Sequence, residues 1–239
     1  MRINWDYIKL LLLAPLVVLL YAFTLSRNNA RAIADTTITF KGDGNLFITH
    51  ETVSKLLIQN QLGDKNVAKE ILALNTLEAA LNSNPMIKSA EVYMSVDGVL
   101  NAEIQQKKPI ARVNASQSYY VDDEGKYMPL SANHTARVPL VTGNVNKNNL
   151  DNIFRIAKKI ETDAFLKQHV VAIQQQSTGH IFLKLRQCDF MVNLGGLHLL
   201  DKKINNLKAF YKKSLKEKTL QTYSMVNLQF DNQVVCTKK

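Results

Sequence analysis

The stretch from Asn75 to Gln105, NTLEAALNSNPMIKSAEVYMSVDGVLNAEIQ, changes its periodicity within one continuous run. Its first part places Leu77, Ala80 and Leu81 at helical spacing, and Asn75 with Glu78 three residues on is arranged as a capping box. A helix beginning at Asn75 must stop near Asn84, because Pro85 disfavours helix at the residue before it. Ile87 to Val96 and Val99 to Gln105 then have strand character, joined through Asp97-Gly98, a two-residue turn signal between β-rich runs.

Upstream, Thr36-Thr37-Ile38-Thr39-Phe40 alternates like a short strand and closes on the turn-rich Lys41-Gly42-Asp43-Gly44-Asn45. Thr49 can cap a helix whose Val53, Leu56 and Leu57 share a face, with Ile48 placed as a staple. The order is strand, helix, helix, strand, strand, which satisfies the two-layer rule if both helices cover one face of a small sheet. Downstream the chain is richer in β signals. Ser118 to Val121 and Tyr127 to Leu130 flank the turn Asp122-Asp123-Glu124-Gly125. Leu150, Ile153, Phe154, Ala157 and Ile160 predict an amphipathic helix. Val170 to Ile173, Ile181 to Leu185 and Phe190 to Leu194 predict strands. Leu200, Ile204, Leu207, Tyr211 and Leu215 predict another helix, and Tyr223 to Val235 the closing strands.

At the other end, Leu10 to Leu25 carries no charge. With Ile8, and Lys9 snorkelling outward, it gives a span near the ~17–20 residues needed to cross hydrocarbon. Trp5 and Tyr7 stand where interfacial aromatics belong. A cleaved leader is the rival, with Ala32-Ile33-Ala34 resembling a cleavage site. The apolar run exceeds the usual ~7–15 residues of such leaders, and Arg27 and Arg31 crowd the supposed cut, which favours a retained anchor. The short head and long following part fit a single-pass type II arrangement.

The chain has 239 residues with 30 Lys+Arg against 20 Asp+Glu, a formal charge of +10. Such an excess favours acidic partners or anionic lipid, and no nucleic-acid motif accompanies it. Lys202, Lys203, Lys208, Lys212, Lys213, Lys216 and Lys218 crowd one helix, as a lipid or acidic-partner contact or simply as a solvated face. His50-Glu51 lacks the second His of a zinc helix, Gly195-Gly196 lacks a phosphate-loop Lys, and the other histidines are scattered. No metal or cofactor is expected. Cys188 and Cys236 form no ligand-spaced cluster and leave open whether they pair.

These residues carry a resemblance. Leu81, Asn84-Pro85-Met86-Ile87-Lys88-Ser89-Ala90-Glu91-Val92, Leu100, Ile104 and Lys107-Lys108-Pro109-Ile110-Ala111 are similar to the POTRA domain of FtsQ/DivIB proteins. Tyr120-Val121-Asp122-Asp123-Glu124-Gly125 resembles that family's following hairpin, and Met225 to Asp231 its closing strand. Met86 stands where the family usually has an aromatic, and Gln106-Lys107 where Glu-Arg is common. The resemblance implies an α+β fold: a head at 1–7, a transmembrane helix at 8–25, a linker at 26–35, a βααββ POTRA domain at 36–112 and a mixed β-rich domain with flanking helices at 113–239. It implies a non-enzymatic scaffold of the cell-division machinery, in the cytoplasmic membrane at the septum with its C-terminal part outside the cytoplasm. Partners would be bitopic proteins of the FtsB/DivIC and FtsL type, with other division proteins on the POTRA domain and no nucleic acid.

A closing strand at a sheet edge would expose unpaired N–H and C=O groups to an incoming strand. Met225, Val226, Asn227, Leu228, Gln229 and Phe230 are the expected contact, with Phe230 as anchor; the alternative is that they are buried core strand. Two other readings differ in class, an exported cell-envelope hydrolase and a different POTRA-bearing assembly factor. The latter would normally precede an outer-membrane barrel, which needs more chain than remains.

Overall fold

The first helix, α1 (Trp5–Asn29), holds Pro15 within it. The computed structural model describes residues 5–29, 35–61, 71–96, 99–231 and 233–239. Within α1 the described side chains are those of Lys9 and residues 13–24, and its large apolar side chains from Leu13 to Phe23 are 55–67% exposed. Among the described residues no helix is long and apolar enough to cross a membrane. The span expected over 8–25 therefore lies partly outside the described side chains. So do the interfacial positions Trp5 and Tyr7, and Ala32-Ile33-Ala34 lies outside the described residues altogether.

A three-stranded sheet follows, ordered β1-β3-β2, from β1 (Asp35–Lys41), β2 (Ile87–Met94) and β3 (Val99–Gln106). β1 runs parallel to β3, which requires a crossover, and α2 (His50–Gln61) and α3 (Ile71–Asn82) supply it. The turn Asp97-Gly98 lies outside the described residues, but β2 and β3 pair antiparallel across it, with Ala90 opposite Ile104. Thr49 caps α2 as expected, its Oγ1 accepting the Thr52 N–H at 3.3 Å. Ile48, Val53 and Leu57 are buried with Leu77, Leu81, Leu100 and Ile104 in one core.

The start of α3 departs from expectation. It begins at Ile71 rather than Asn75, so Asn75 is no cap. Glu78 instead accepts the Val92 N–H at 3.2 Å, and Asn82 accepts the Ala90 N–H at 2.8 Å. Both N–H groups belong to β2, an edge strand whose outward donors would otherwise be unpaired, and the helix covers that edge with side-chain acceptors.

The larger unit is a nine-stranded sheet in the order β12-β11-β10-β9-β8-β7-β4-β5-β6. Its strands are β4 (Pro109–Val113), β5 (Tyr119–Asp122), β6 (Tyr127–Pro129), β7 (Leu140–Gly143), β8 (Val170–Gln175), β9 (Ile181–Leu185), β10 (Met191–Gly195), β11 (Tyr223–Asn227) and β12 (Val235–Lys238). Three neighbouring pairs are parallel; β4 reaches β7 by way of β5 and β6, and the other two have helical crossovers. Between β7 and β8 these are α4 (Asp151–Thr162) and α5 (Ala164–His169), and between β10 and β11 it is α6 (Leu200–Lys216). Ile153, Ile156, Ala157 and Ile160 of α4 and Ile204 and Leu207 of α6 are buried against the sheet.

The stripe of α6 differs from expectation at its end, where Leu215 is 57% exposed and Ser214 is buried. After Tyr211 a helical face continues equally well three or four residues on, and the chain takes the three. Its lysines do not form one cationic face. Lys203 is buried, its Nζ donating to the carbonyls of Leu194 and Gly196, both at 2.8 Å, and Lys208 meets Asp163 at 2.5 Å.

Asp163 ties three helices together. It ends α4 and caps α5, accepting the N–H groups of Phe165 and Leu166 at 3.1 Å each, while its other oxygen binds Lys208 on α6. Burial works to raise its pKa, but the Lys208 contact and the two N–H bonds prevail and hold it below the usual carboxylate range. A depressed folded-state pKa adds stability above the unfolded value of ~3.9, lost as pH falls through the folded value. Asp163→Ala should cost about 1–2 kcal/mol at neutral pH. Its melting temperature should converge on the native one in strong acid; a deficit that stayed constant over that range would disprove the ionic part.

Candidate functional site

Of the six residues expected at the partner contact, three lie in β11, and β11 is not an edge. It pairs parallel with β10 through Met191↔Met225 and antiparallel with β12 through Val226↔Cys236. Its ladder is occupied on both sides, so the expectation that this strand exposes unpaired backbone is corrected. Past Asn227 the chain leaves the strand, although the Leu228 N–H still reaches the Asn193 carbonyl at 2.8 Å and Gln229 N–H the Asn227 side chain at 3.0 Å. It then returns as β12. Four residues, one of them Lys238, are too short a run to stand out as a strand in sequence, and only the alternation of Val235 and Thr237 hints at it.

Side-chain placement divides the six. Val226 and Leu228 are core, at 0% and 1% exposure, whereas Met225 and Phe230 are exposed at 37% and 46%. Asn227 and Gln229 are half-buried. Cys236, opposite Val226, packs against the main core, so Val235 and Thr237 stand on the opposite, solvent face beside Met225 and Asn227. Cys188 and Cys236 are free thiols, and burial raises the pKa of both.

The two ends of the nine-stranded sheet are unlike. At β6, Pro129 has no N–H to offer, and Met128 is fully buried beside Phe47 of the first unit and Tyr120. At β12 no described residue pairs on the outer side. Lys239 anchors its end through Asp189 at 2.7 Å and through its own N–H to the Thr222 carbonyl at 2.9 Å. The strand is held in place from within and left open outward.

The hairpin before β6 is built on Asp122, whose Oδ1 accepts the N–H groups of Glu124 and Lys126 at 3.0 and 2.7 Å. Its other oxygen lies 3.1 Å from Lys107 at the junction of the two units, and Lys88 of β2 reaches Asp123 and Glu124 at 3.1 and 3.2 Å. Three of the five histidines pack against aromatic rings: His50 meets Phe40, His134 meets Phe47, and His169 stacks on Phe165. Among the described residues no three His, Cys, Asp or Glu side chains are grouped to hold a metal ion.

A βααββ unit followed by a large mixed sheet, with its β12 edge open among the described residues, defines a two-unit α+β protein of the POTRA-plus-β-sheet class. Residues 36–105 match a POTRA-like domain, and residues 108–237 match the family described as FtsQ/DivIB, C-terminal related. The second match covers more than half of the chain, and the chain belongs to this FtsQ/DivIB-related family. Among curated proteins none matches it.

Proposed function

We propose that this protein is a non-enzymatic scaffold of cell division, anchored by a transmembrane helix at 8–25 and exporting its two folded units to the outside of the cytoplasmic membrane at the septum. The observation that carries the reading is the open β12 edge, bordered by exposed Val235, Thr237, Met225 and Phe230. A strand from a bitopic protein of the FtsB/DivIC or FtsL type would extend the sheet there, taking main-chain hydrogen bonds from β12. The contact moves outward by one strand from Met225–Phe230, with Met225 and Phe230 kept as its apolar side-chain component and Val226 and Leu228 supporting it from the core. Confinement of both proteins to one bilayer raises their effective concentration, so a small edge suffices. The family assignment and the apolar run at 8–25 support the anchor and the septal location.

The test uses the full-length, tagged protein in detergent and an FtsB-type bitopic partner. Val235→Glu and Phe230→Glu change exposed side chains, so melting temperature should stay within error while capture falls about tenfold or more for the pair. Undiminished capture by the double variant would remove β12 as the contact. A fluorescent fusion should gather at mid-cell, and an even envelope distribution would remove the division role. Turnover of cell-wall fragments that disappears with one carboxylate would put the hydrolase reading in its place.

A further inference from the structure

A cleft of about 630 Å³ lies between the two units, in the ~300–1,000 Å³ range of ligand pockets. The loop at 43–47 forms one wall, and the opposite side is built from the start of β4, the segment 134–139, the end of α4 and the α5–β8 corner. Segment 134–139 has neither helix nor strand, so it lies along the cleft without a sheet ladder of its own. The floor is largely apolar: Leu46 is 54% exposed, and Val138, Pro139 and Val171 are half-buried.

The charges around it are unbalanced. Glu161 is already engaged by Lys108 and by Lys158 at 3.1 Å, and Lys107 by Asp122. Arg137, Lys167 and Arg186 line the same cleft, are exposed, and have no ion pair among the described residues. Asp43 is the one further carboxylate in the lining. The three cations come from three places, the segment before β7, helix α5 and the residue after β9, and share the lining of this one cleft.

We infer that this cleft is a second docking site, which takes an acidic peptide segment of a partner protein, its carboxylates on Arg137, Lys167 and Arg186 and its apolar side chains on Leu46, Val138 and Val171. Three unpaired cations beside an apolar floor suit a chain that carries both carboxylates and apolar side chains, and the formal charge of +10 favours the approach of such a segment. β9, β10 and β11 separate β8 from β12, so the site is independent of the open edge.

The probe is a short fluorescein-labelled peptide alternating Glu with Leu, titrated into the full-length protein in detergent and read by anisotropy. Binding is expected, weakening with salt as screening shortens the electrostatic range. Combined Arg137→Glu, Lys167→Glu and Arg186→Glu should weaken it about tenfold or more, and so should Leu46→Asp. Val235→Glu with Phe230→Glu should leave it unchanged, which separates this site from the β12 reading. The Gln versions of the three cations serve if charge reversal impairs folding. The inference is overturned if the peptide does not bind, if a Lys-for-Glu peptide binds equally, if the triple variant binds like the native protein, or if short-chain phosphatidylglycerol occupies the cleft and the peptide cannot displace it.

Discussion

Gln106→Leu is expected to lower stability by roughly 3 kcal/mol or more. Gln106 is 7% exposed, and its carboxamide makes three hydrogen bonds to one loop. It accepts the N–H groups of Phe47 and Ile48 at 2.9 and 3.2 Å and donates to the Ile48 carbonyl at 2.9 Å. Leucine fills the same space but leaves two donors and one acceptor without partners, each costing about 1–3 kcal/mol in a buried setting. The loop matters beyond stability, because the Phe47 carbonyl accepts from Ser131 at 2.7 Å and from Asn133 at 3.2 Å across the junction, and its ring packs with Tyr120 and Met128. Loosening it should disturb how the two units meet and, with them, the cleft. A melting temperature lowered by about 6 °C or more is expected for a chain of this size. A drop within about 1–2 °C would show that water replaces the carboxamide at little cost.

Gly143→Ala should cost about 3 kcal/mol or more through two separate effects. Gly143 has φ +94, where a side chain is strained, and an added Cβ would stand 2.1 Å from the Gln175 carbonyl oxygen of β8. Gly143 and Gln175 are register partners, so relieving the clash means parting β7 from β8 at the centre of the nine-stranded sheet. Gly125→Ala provides the comparison. Its φ is +79, but the Cβ there would meet the Phe154 ring at 2.9 Å, a side chain that can turn away. Denaturation of the two variants side by side should rank Gly143→Ala as the more destabilising, and equal losses would sink the backbone-clash argument.

The features legible in the sequence are those set by short-range forces. Thr49 with Ile48, the Val53 and Leu57 face, the α4 stripe and the Asp122 turn were legible because each depends on neighbours within a few residues. The start of α3 was misplaced because Glu78 and Asn82 serve the edge of β2, whose N–H groups are 8 to 14 residues away in the chain. Leu215 and Ser214 exchange places for a similar reason: the helix period admits either, and the sheet beneath α6 chooses.

What the sequence determined by itself is the alternation and helical spacing that set the order of elements and brought the chain to its family. These are local properties, carried by side-chain periodicity along a few turns or a few strand residues. Tertiary structure alone decided that β11 is sandwiched and β12 is open, and that Arg137, Lys167 and Arg186 share one cleft. Strand neighbours and converging charges are fixed by hydrogen bonds and packing between segments far apart in the chain, and no local period records which segments those will be.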